Sequence, residues 1–465
     1  MRSRRTLYPL LGVAVLVMAA ACSSSATHDG EAAPPRLTTG SAATSPTFVS
    51  TTVPDTQVGA QFTWVLGAVR AAPLSHQVIE AHFDSNFLRQ ASASKVNSVL
   101  TQLRSSSGAS LVGLLSETST SFKAVAKFGD TEVTVSISVD GAGLIDGLLF
   151  ELYVPPPPTS WAQLDRKLEA LAPSTGMLAA RVSSDGPCIP IHKVASTTAR
   201  PLGSMFKLFV LGALAHQITA GRVTWNQELT VQDALKSIGS TRGSLQYSPA
   251  GTQVSVQQTA TQMISISDNT AADMLINLVG RSAVEVQVQQ WASSAALDNP
   301  FLTTRELFLL HYVDYPTLAN QYLHLDPNQR AAFLSSTVDP LALSQIQGST
   351  NPRDTDTVEW FASPRDVCRA FAGLQRLSTQ SGMAPIGTIL SDNVGGLVLD
   401  RTQWPTVWFK GGSEPGVLTL GYLAKNGKGQ TFVVAVMLGN PTAALSPSAT
   451  GGLIALVTGA FGLLG

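Results

Sequence analysis

Pro201-Leu202-Gly203-Ser204-Met205-Phe206-Lys207-Leu208-Phe209-Val210-Leu211 is the stretch on which the reading of this chain turns. From Met205 to Ala215 every residue except Lys207 is apolar or glycine, the pattern of a helix buried on nearly all faces. A lysine inside such a helix is costly, because desolvation disfavours its ammonium form. Ser204 stands three residues earlier, on the same helical face and near the N-terminus. The pair reads as a nucleophile and its base. Lys207, lowered in pKa, takes the Ser204 proton, and the helix N-terminus favours the developing negative charge. Ser92-Ala93-Ser94-Lys95 has the same spacing but lies on a polar stretch and lacks that burial.

Two further segments support the reading. Ser267-Asp268-Asn269 opens an amphipathic helical pattern. Ser267 is placed to relay a proton to a leaving group, and the Asn269 amide to hold a substrate carbonyl; the alternative is a plain helix cap. A second Ser-Asp-Asn at 391–393 runs into Val394-Gly395-Gly396 and reads as a turn. Lys410-Gly411-Gly412-Ser413 closes a β-branched and aromatic strand. Lys410 offers positive charge beside the nucleophile, and the glycines allow a substrate backbone to approach closely. The N–H groups of Ser413 and Ser204 would form an oxyanion hole. Lys425-Asn426-Gly427 reads as a hairpin turn.

The chain has 465 residues, 44% of them hydrophobic, ample for a large core. Its 30 basic and 31 acidic side chains leave a net charge of −1, which excludes the basic surface a nucleic-acid binder needs. No His-Glu-x-x-His, P-loop or dinucleotide fingerprint is present, and the seven histidines lack ligand spacing, so no metal or cofactor is expected. Arg2, Arg4 and Arg5 precede an apolar run of 12 residues, Leu10 to Ala21, the length of a secretory signal. It ends Ala19-Ala20-Ala21-Cys22, similar to a lipobox. The expectation is a signal peptide over 1–21, lipid on Cys22, and export to the outer face of the cell membrane. Residues 22–56, rich in Ser, Thr, Ala and Pro, read as a tether. Cys188 and Cys368 either pair or remain two buried thiols.

Pro155 to Pro158 opens a linker over 155–160 that divides two folded blocks. In 57–154, helical patterns at Gln61–Val69 and Val96–Leu103 precede alternating strands at Phe122–Phe128, Glu132–Val139 and Leu148–Val154. This is a small α+β cone. In 161–465, strands at Met177–Val182 and Cys188–Val194 come first, then a long helical region. Strands at Thr406–Lys410, Val417–Ala424 and Thr431–Leu438 and a helix at Gly451–Leu464 end the chain. The pattern predicts an α+β domain: an antiparallel sheet completed by both domain ends, with an all-helical insert between.

With three motifs in this order, residues 165–465 resemble the class A β-lactamase and penicillin-binding-protein superfamily of acyl-serine enzymes. The 57–154 block resembles a nuclear-transport-factor-like domain. The whole chain resembles actinobacterial lipoproteins of the LpqF type and the β-lactamase-like esterase of clavulanic-acid clusters. The resemblance implies Ser204 as nucleophile, Lys207 as base, Ser267 as proton relay and Lys410 as electrostatic support. Asn269, Gly411, Gly412 and Ser413 would bind substrate: a small ester, amide or β-lactam.

The chain departs from that pattern. No Glu-x-x-Leu-Asn loop stands in the interval of 143 positions from Ser267 to Lys410; Glu285, Glu306 and Glu359 lie there without its context. A helical insert at about 297–347 takes its place, so deacylation is expected to be slow. Gly411 stands where Thr or Ser is usual, Glu414 adds negative charge, and Val417–Ala424 contains no arginine. A substrate carboxylate would be held poorly. Two rivals remain: a turnover-deficient binding protein for cell-wall peptides or β-lactams, and a D,D-peptidase-like protein. A Ser-His-Asp triad is disfavoured, with no Gly-x-Ser-x-Gly elbow. His192, His216 and His311 read as strand, helix-end and helix-surface residues, and His82 and Asp84 as surface or packing residues of the first block.

Overall fold

The structure is a computed structural model that describes residues 48–104, 108–183, 186–238, 243–293 and 298–465. Residues 1–21 and Cys22 lie outside this range. The described chain falls into two compact units: residues up to 157 with 446–455, and residues 158–445 with 456–465.

The first unit sets four helices against a meander. The helices are α1 (Gln57–Ala71), α2 (His76–Glu80), α3 (Ser85–Gln90) and α4 (Ala93–Leu103). The sheet runs in the order β1 (Ala109–Glu117), β2 (Ser121–Phe128), β3 (Thr131–Val139) and β4 (Ile145–Leu152), antiparallel throughout. The expected helices and strands are present, and β1 is one more. Its Leu111-Val112-Gly113-Leu114-Leu115 run does not alternate, and two register shifts against β2 explain why. Phe62 of α1 meets Phe122 of β2 edge-on at 5.1 Å, inside a core that also holds Val58, Val65 and Ile137. Residues 48–50, assigned to the tether from composition, run along the sheet: Val49 N–H donates to Leu114 O at 2.9 Å. Ser92 caps α4 by accepting from the Lys95 N–H, which accounts for that Ser-x-x-Lys copy. His82 stacks on Trp64 and Asp84 caps α3.

The second unit is α+β. After α5 (Trp161–Glu169) come β5 (Ser174–Val182), β6 (Cys188–Val194) and the short β7 (Arg200–Pro201). The helical part holds α6 (Lys207–Thr219), a small ribbon of β8 (Glu228–Thr230) and β9 (Gln253–Ser255), α7 (Val256–Ser265), α8 (Asn269–Val279) and α9 (Arg281–Trp291). The expected insert contains α10 (Thr304–Tyr312), α11 (Thr317–Leu323) and α12 (Pro327–Phe333). Then follow β10 (Phe361–Ala362), which pairs with β7, α13 (Pro364–Ser378) and α14 (Pro385–Ser391). The unit's last strands are β11 (Thr406–Glu414), β12 (Val417–Lys425) and β13 (Thr431–Gly439); α15 (Ala449–Leu464) follows, its residues to Ala455 counted with the first unit.

The main sheet has the order β11-β12-β13-β5-β6, all antiparallel. Its middle is β13, Thr-Phe-Val-Val-Ala-Val-Met-Leu-Gly, buried at every position. That continuous apolar run suits a strand covered on both faces. Both domain ends therefore meet in the sheet, Thr431 opposite Val182. Helix α13 covers it, started by a Ser363–Asp366 capping box with Pro364 in the first turn. Cys188 at the start of β6 forms a disulfide with Cys368 of α13, which settles the alternative left open by sequence.

Candidate active site

Ser204 lies in a single 3-10 turn, Gly203–Phe206, that leads directly into α6. The apolar residues of α6 are buried as the sequence demanded, and Lys207 with them, at 0% exposure. Gly203 takes φ +50°, open to glycine at little cost. Strand β11 passes against this turn. A Cβ at Gly412 would stand 2.1 Å from Leu202 O and 2.6 Å from Ser204 N, so only glycine fits there. The sequence reading gave that glycine to substrate; the structure gives the close approach to the protein's own backbone. A Cβ at Gly203 would likewise sit 3.0 Å from Ser413 N, so the residues carrying the two expected oxyanion donors are neighbours. Thr419 of β12 fastens the arrangement, its hydroxyl donating to Leu202 O at 2.7 Å.

Lys207 Nζ has four acceptors within reach. Asn269 Oδ1 is at 2.6 Å, Ser267 O at 2.7 Å, Ser204 Oγ at 3.1 Å and Ser267 Oγ at 3.2 Å. Burial lowers its pKa to about 7, although the charges of Asp268, Asp273 and Glu414 work the other way. A neutral amine has two N–H bonds and one lone pair. The two shortest contacts go to carbonyl oxygens, which only accept and so take both protons. The lone pair is left for the hydroxyls, and Ser204 can donate to it. Lys410 Nζ, equally buried, donates to Gly411 O at 2.7 Å and Ser267 Oγ at 3.0 Å. Burial, and then the Lys207 charge, hold its pKa well below the lysine range. The Ser267 hydroxyl thus bridges two amines.

The Ser-Asp-Asn loop is built for this. Ser267 has φ +59°, a strained conformation for a residue with a Cβ. Asp268 caps α8 through the Ala271 N–H and also accepts the Ser244 and Leu245 N–H groups at 2.7 and 3.0 Å. Asn269 is buried with both amide atoms engaged, Oδ1 on Lys207 and Nδ2 on Ile238 O at 2.9 Å. Its amide is therefore turned to the protein and not toward a substrate carbonyl. Asn393, from the copy read as a turn, donates to Ser265 O at 2.6 Å and braces the loop from behind.

Several candidates prove structural. Glu306 pairs with Arg281 at 2.5 Å and caps α10. Glu285 accepts the Phe301 N–H at 3.0 Å. His192 stacks on Trp161 and bonds Asp165 at 2.7 Å. His311 is not on the helix surface but buried, its Nε2 on Val358 O at 2.8 Å, because its face of α10 packs inward. Glu359, buried, accepts the Gly203 N–H at 2.9 Å; sequence left its place open. Among the described residues no cluster of three or more His, Cys, Asp or Glu is disposed to hold a metal.

A β-lactamase-like serine hydrolase is the class that this fold and this serine–lysine arrangement define. The chain belongs to the beta-lactamase enzyme family, whose model matches residues 190–457. Residues 53–145 match the model of the ORF 12 gene product N-terminal region. Among solved structures it is similar to PBP-A, with 19% identity over 67% of this chain and 99% of that one and a TM-score of 0.42. A β-lactamase from Sphaerobacter thermophilus is 20% identical over 65% of this chain and 98% of its own (TM-score 0.45). One from Desulfarculus baarsii is 18% identical over 66% and 99% (TM-score 0.42). No curated protein matches the chain.

Proposed function

We propose that this protein is an acyl-serine hydrolase that acts on small esters or β-lactams and releases its acyl group slowly. The observation that carries the reading is the Lys207 amine. It is buried, held by two carbonyl acceptors, and 3.1 Å from Ser204 Oγ. Ser204 attacks the acyl carbon as Lys207 takes its proton, and a covalent acyl-Ser204 forms. The proton passes through Ser267 Oγ, between Lys207 and Lys410, to the leaving oxygen or nitrogen. The Ser204 and Ser413 N–H groups stabilise the oxyanion.

Slow release is supported by what surrounds the amine. Among the described residues, no carboxylate hydrogen-bonds Ser204, Lys207 or Ser267. A water attacking acyl-Ser204 therefore lacks the usual base and relies on Lys207. The absence of an arginine on β12 favours neutral substrates over carboxylates. We further propose that Cys22 carries lipid and anchors the protein outside the cell membrane.

Intact mass after incubation with a penicillin, and separately with an activated ester, tests the reading. The wild type should gain a lasting acyl adduct and Ser204→Ala none. Absence of both adduct and turnover in the wild type would leave the binding-protein reading.

A further inference from the structure

Glu359 and Glu414 are buried carboxyl groups that the serine–lysine chemistry does not use. Glu359 precedes β10, and its Oε1 accepts the Gly203 N–H, the peptide just ahead of the nucleophile. Glu414 ends β11, one residue after Ser413, with its side chain 8% exposed. The backbones at 203 and 413 are already in contact there. Glu359 Oε2 and Glu414 Oε2 find no partner at hydrogen-bond length elsewhere in the protein, and the two carboxyls are left to each other. His311 Nδ1, also unpartnered, lies 3.8 Å from Glu414 Oε2.

We propose that Glu359 and Glu414 are positioning residues for acylation. They form a carboxyl pair that shares a proton beneath the oxyanion hole and ties the Gly203–Ser204 peptide to Ser413. The inference rests on the acyl-serine reading above. While the proton is present, each carboxyl attracts the other and the two N–H donors keep their spacing. When it leaves for solvent, two buried negative charges face each other, which the site cannot hold. Gly203 and Ser413 then part, and the net charge beneath the hole opposes the oxyanion.

The groups facing the pair come from every element around it. Glu359 faces Glu414 and the Gly203 and Trp360 N–H groups, and it feels the charge of Asp298. Glu414 feels the charge of Lys207 on α6, its own charge acts on Tyr312 of α10, and His311 of α10 lies 3.8 Å away. Arg353 lies behind these two, its guanidinium 2.8 Å from His311 O and over the Tyr312 ring. Burial keeps His311 neutral, down to about 4, so it does not supply a charge. Burial, and then Glu414, raise Glu359 well above the carboxylate range, and burial brings Glu414 to about 7. The pair thus keeps a proton at the pH where Lys207 becomes neutral.

The test is the rate of Ser204 adduct formation with the activated ester across pH. It compares the wild type, Glu359→Gln, Glu414→Gln and the two alanine variants, with thermal unfolding over the same range. The wild-type rate should rise through neutrality and fall in alkali. Each glutamine variant has no shared proton to lose, so its ratio of alkaline to neutral rate should exceed the wild type's by at least about 5-fold. Each alanine variant should acylate at least about 10-fold slower than its glutamine counterpart. An unchanged alkaline fall in both glutamine variants, or alanine variants that match the wild type, would overturn the proposal. If the wild type is not acylated at all, the acyl-serine reading fails by itself, and unfolding decides the pair. The pair's loss of stability with rising pH should then vanish in both glutamine variants, and its persistence would sink the pair as well.

Discussion

Ser267 holds the site together at the smallest scale. One hydroxyl touches both buried amines, and its backbone sits at φ +59°. Strain of this kind survives where surrounding contacts over-determine the conformation. Ser267→Ala and Ser267→Gly lose the same hydroxyl, so both should acylate at least about 10²-fold slower, measured by adduct mass against time. They differ in strain. The glycine variant should be the more stable by about 1 kcal/mol in denaturant unfolding, because only a residue with a Cβ suffers at positive φ. An alanine variant equal to or more stable than the glycine one would contradict that account. Short local motifs brought Ser204, Lys207, Ser267 and Lys410 forward in the sequence, and the fold sets them within hydrogen-bond reach of one another. Glu359 also stands out locally, an acid within Val358-Glu359-Trp360-Phe361-Ala362. What sequence withheld was its partner, Glu414, which only the fold brings alongside.

Between elements, the decisive contact is β11 against the Gly203–Phe206 turn. Gly412→Ala would put a Cβ 2.1 Å from Leu202 O, backbone against backbone, with no flexible side chain to yield. The expected cost is about 1–3 kcal/mol, with loss of acylation, since the shift moves the Ser413 N–H. Thermal unfolding and adduct formation check both parts. On the opposite edge, the Cys188–Cys368 disulfide closes 180 residues. Cys368→Ser should destabilise by about 2–5 kcal/mol, read from the unfolding midpoint with and without reductant. Alternating or continuous apolar runs made most strands readable. β1 escaped because register shifts break its alternation, and the disulfide escaped because spacing alone cannot pair two distant cysteines.

For the whole molecule, buried acids set the response to pH. Burial lifts Asp273 to about 7, despite N–H donors from Thr304 and Arg305, and holds Asp298 and Glu359 well above their ordinary range. Glu414 joins them at about 7. A carboxyl raised in the folded state contributes stability that is complete below its unfolded pKa and lost as pH climbs through the folded one. Lys207 has the opposite sign: the unfolded chain binds its proton between about 7 and 10.5, so rising pH favours the fold. The unfolding temperature should therefore fall from about pH 5 to about pH 7, as scanning calorimetry would record.

The pairing of β5 with β13 reaches beyond stability to how the protein is made. Thr431 lies opposite Val182, so the centre of the sheet needs strands from both ends of the catalytic unit. A ribosome delivers Ser204, Ser267 and Lys410 well before it delivers β13. Until then β5 has no inner neighbour, and β11 and β12 have nothing to lean on. A nascent chain stopped at Lys425 would carry Ser204, Lys207, Ser267 and Lys410 but lack the strand that joins β12 to β5.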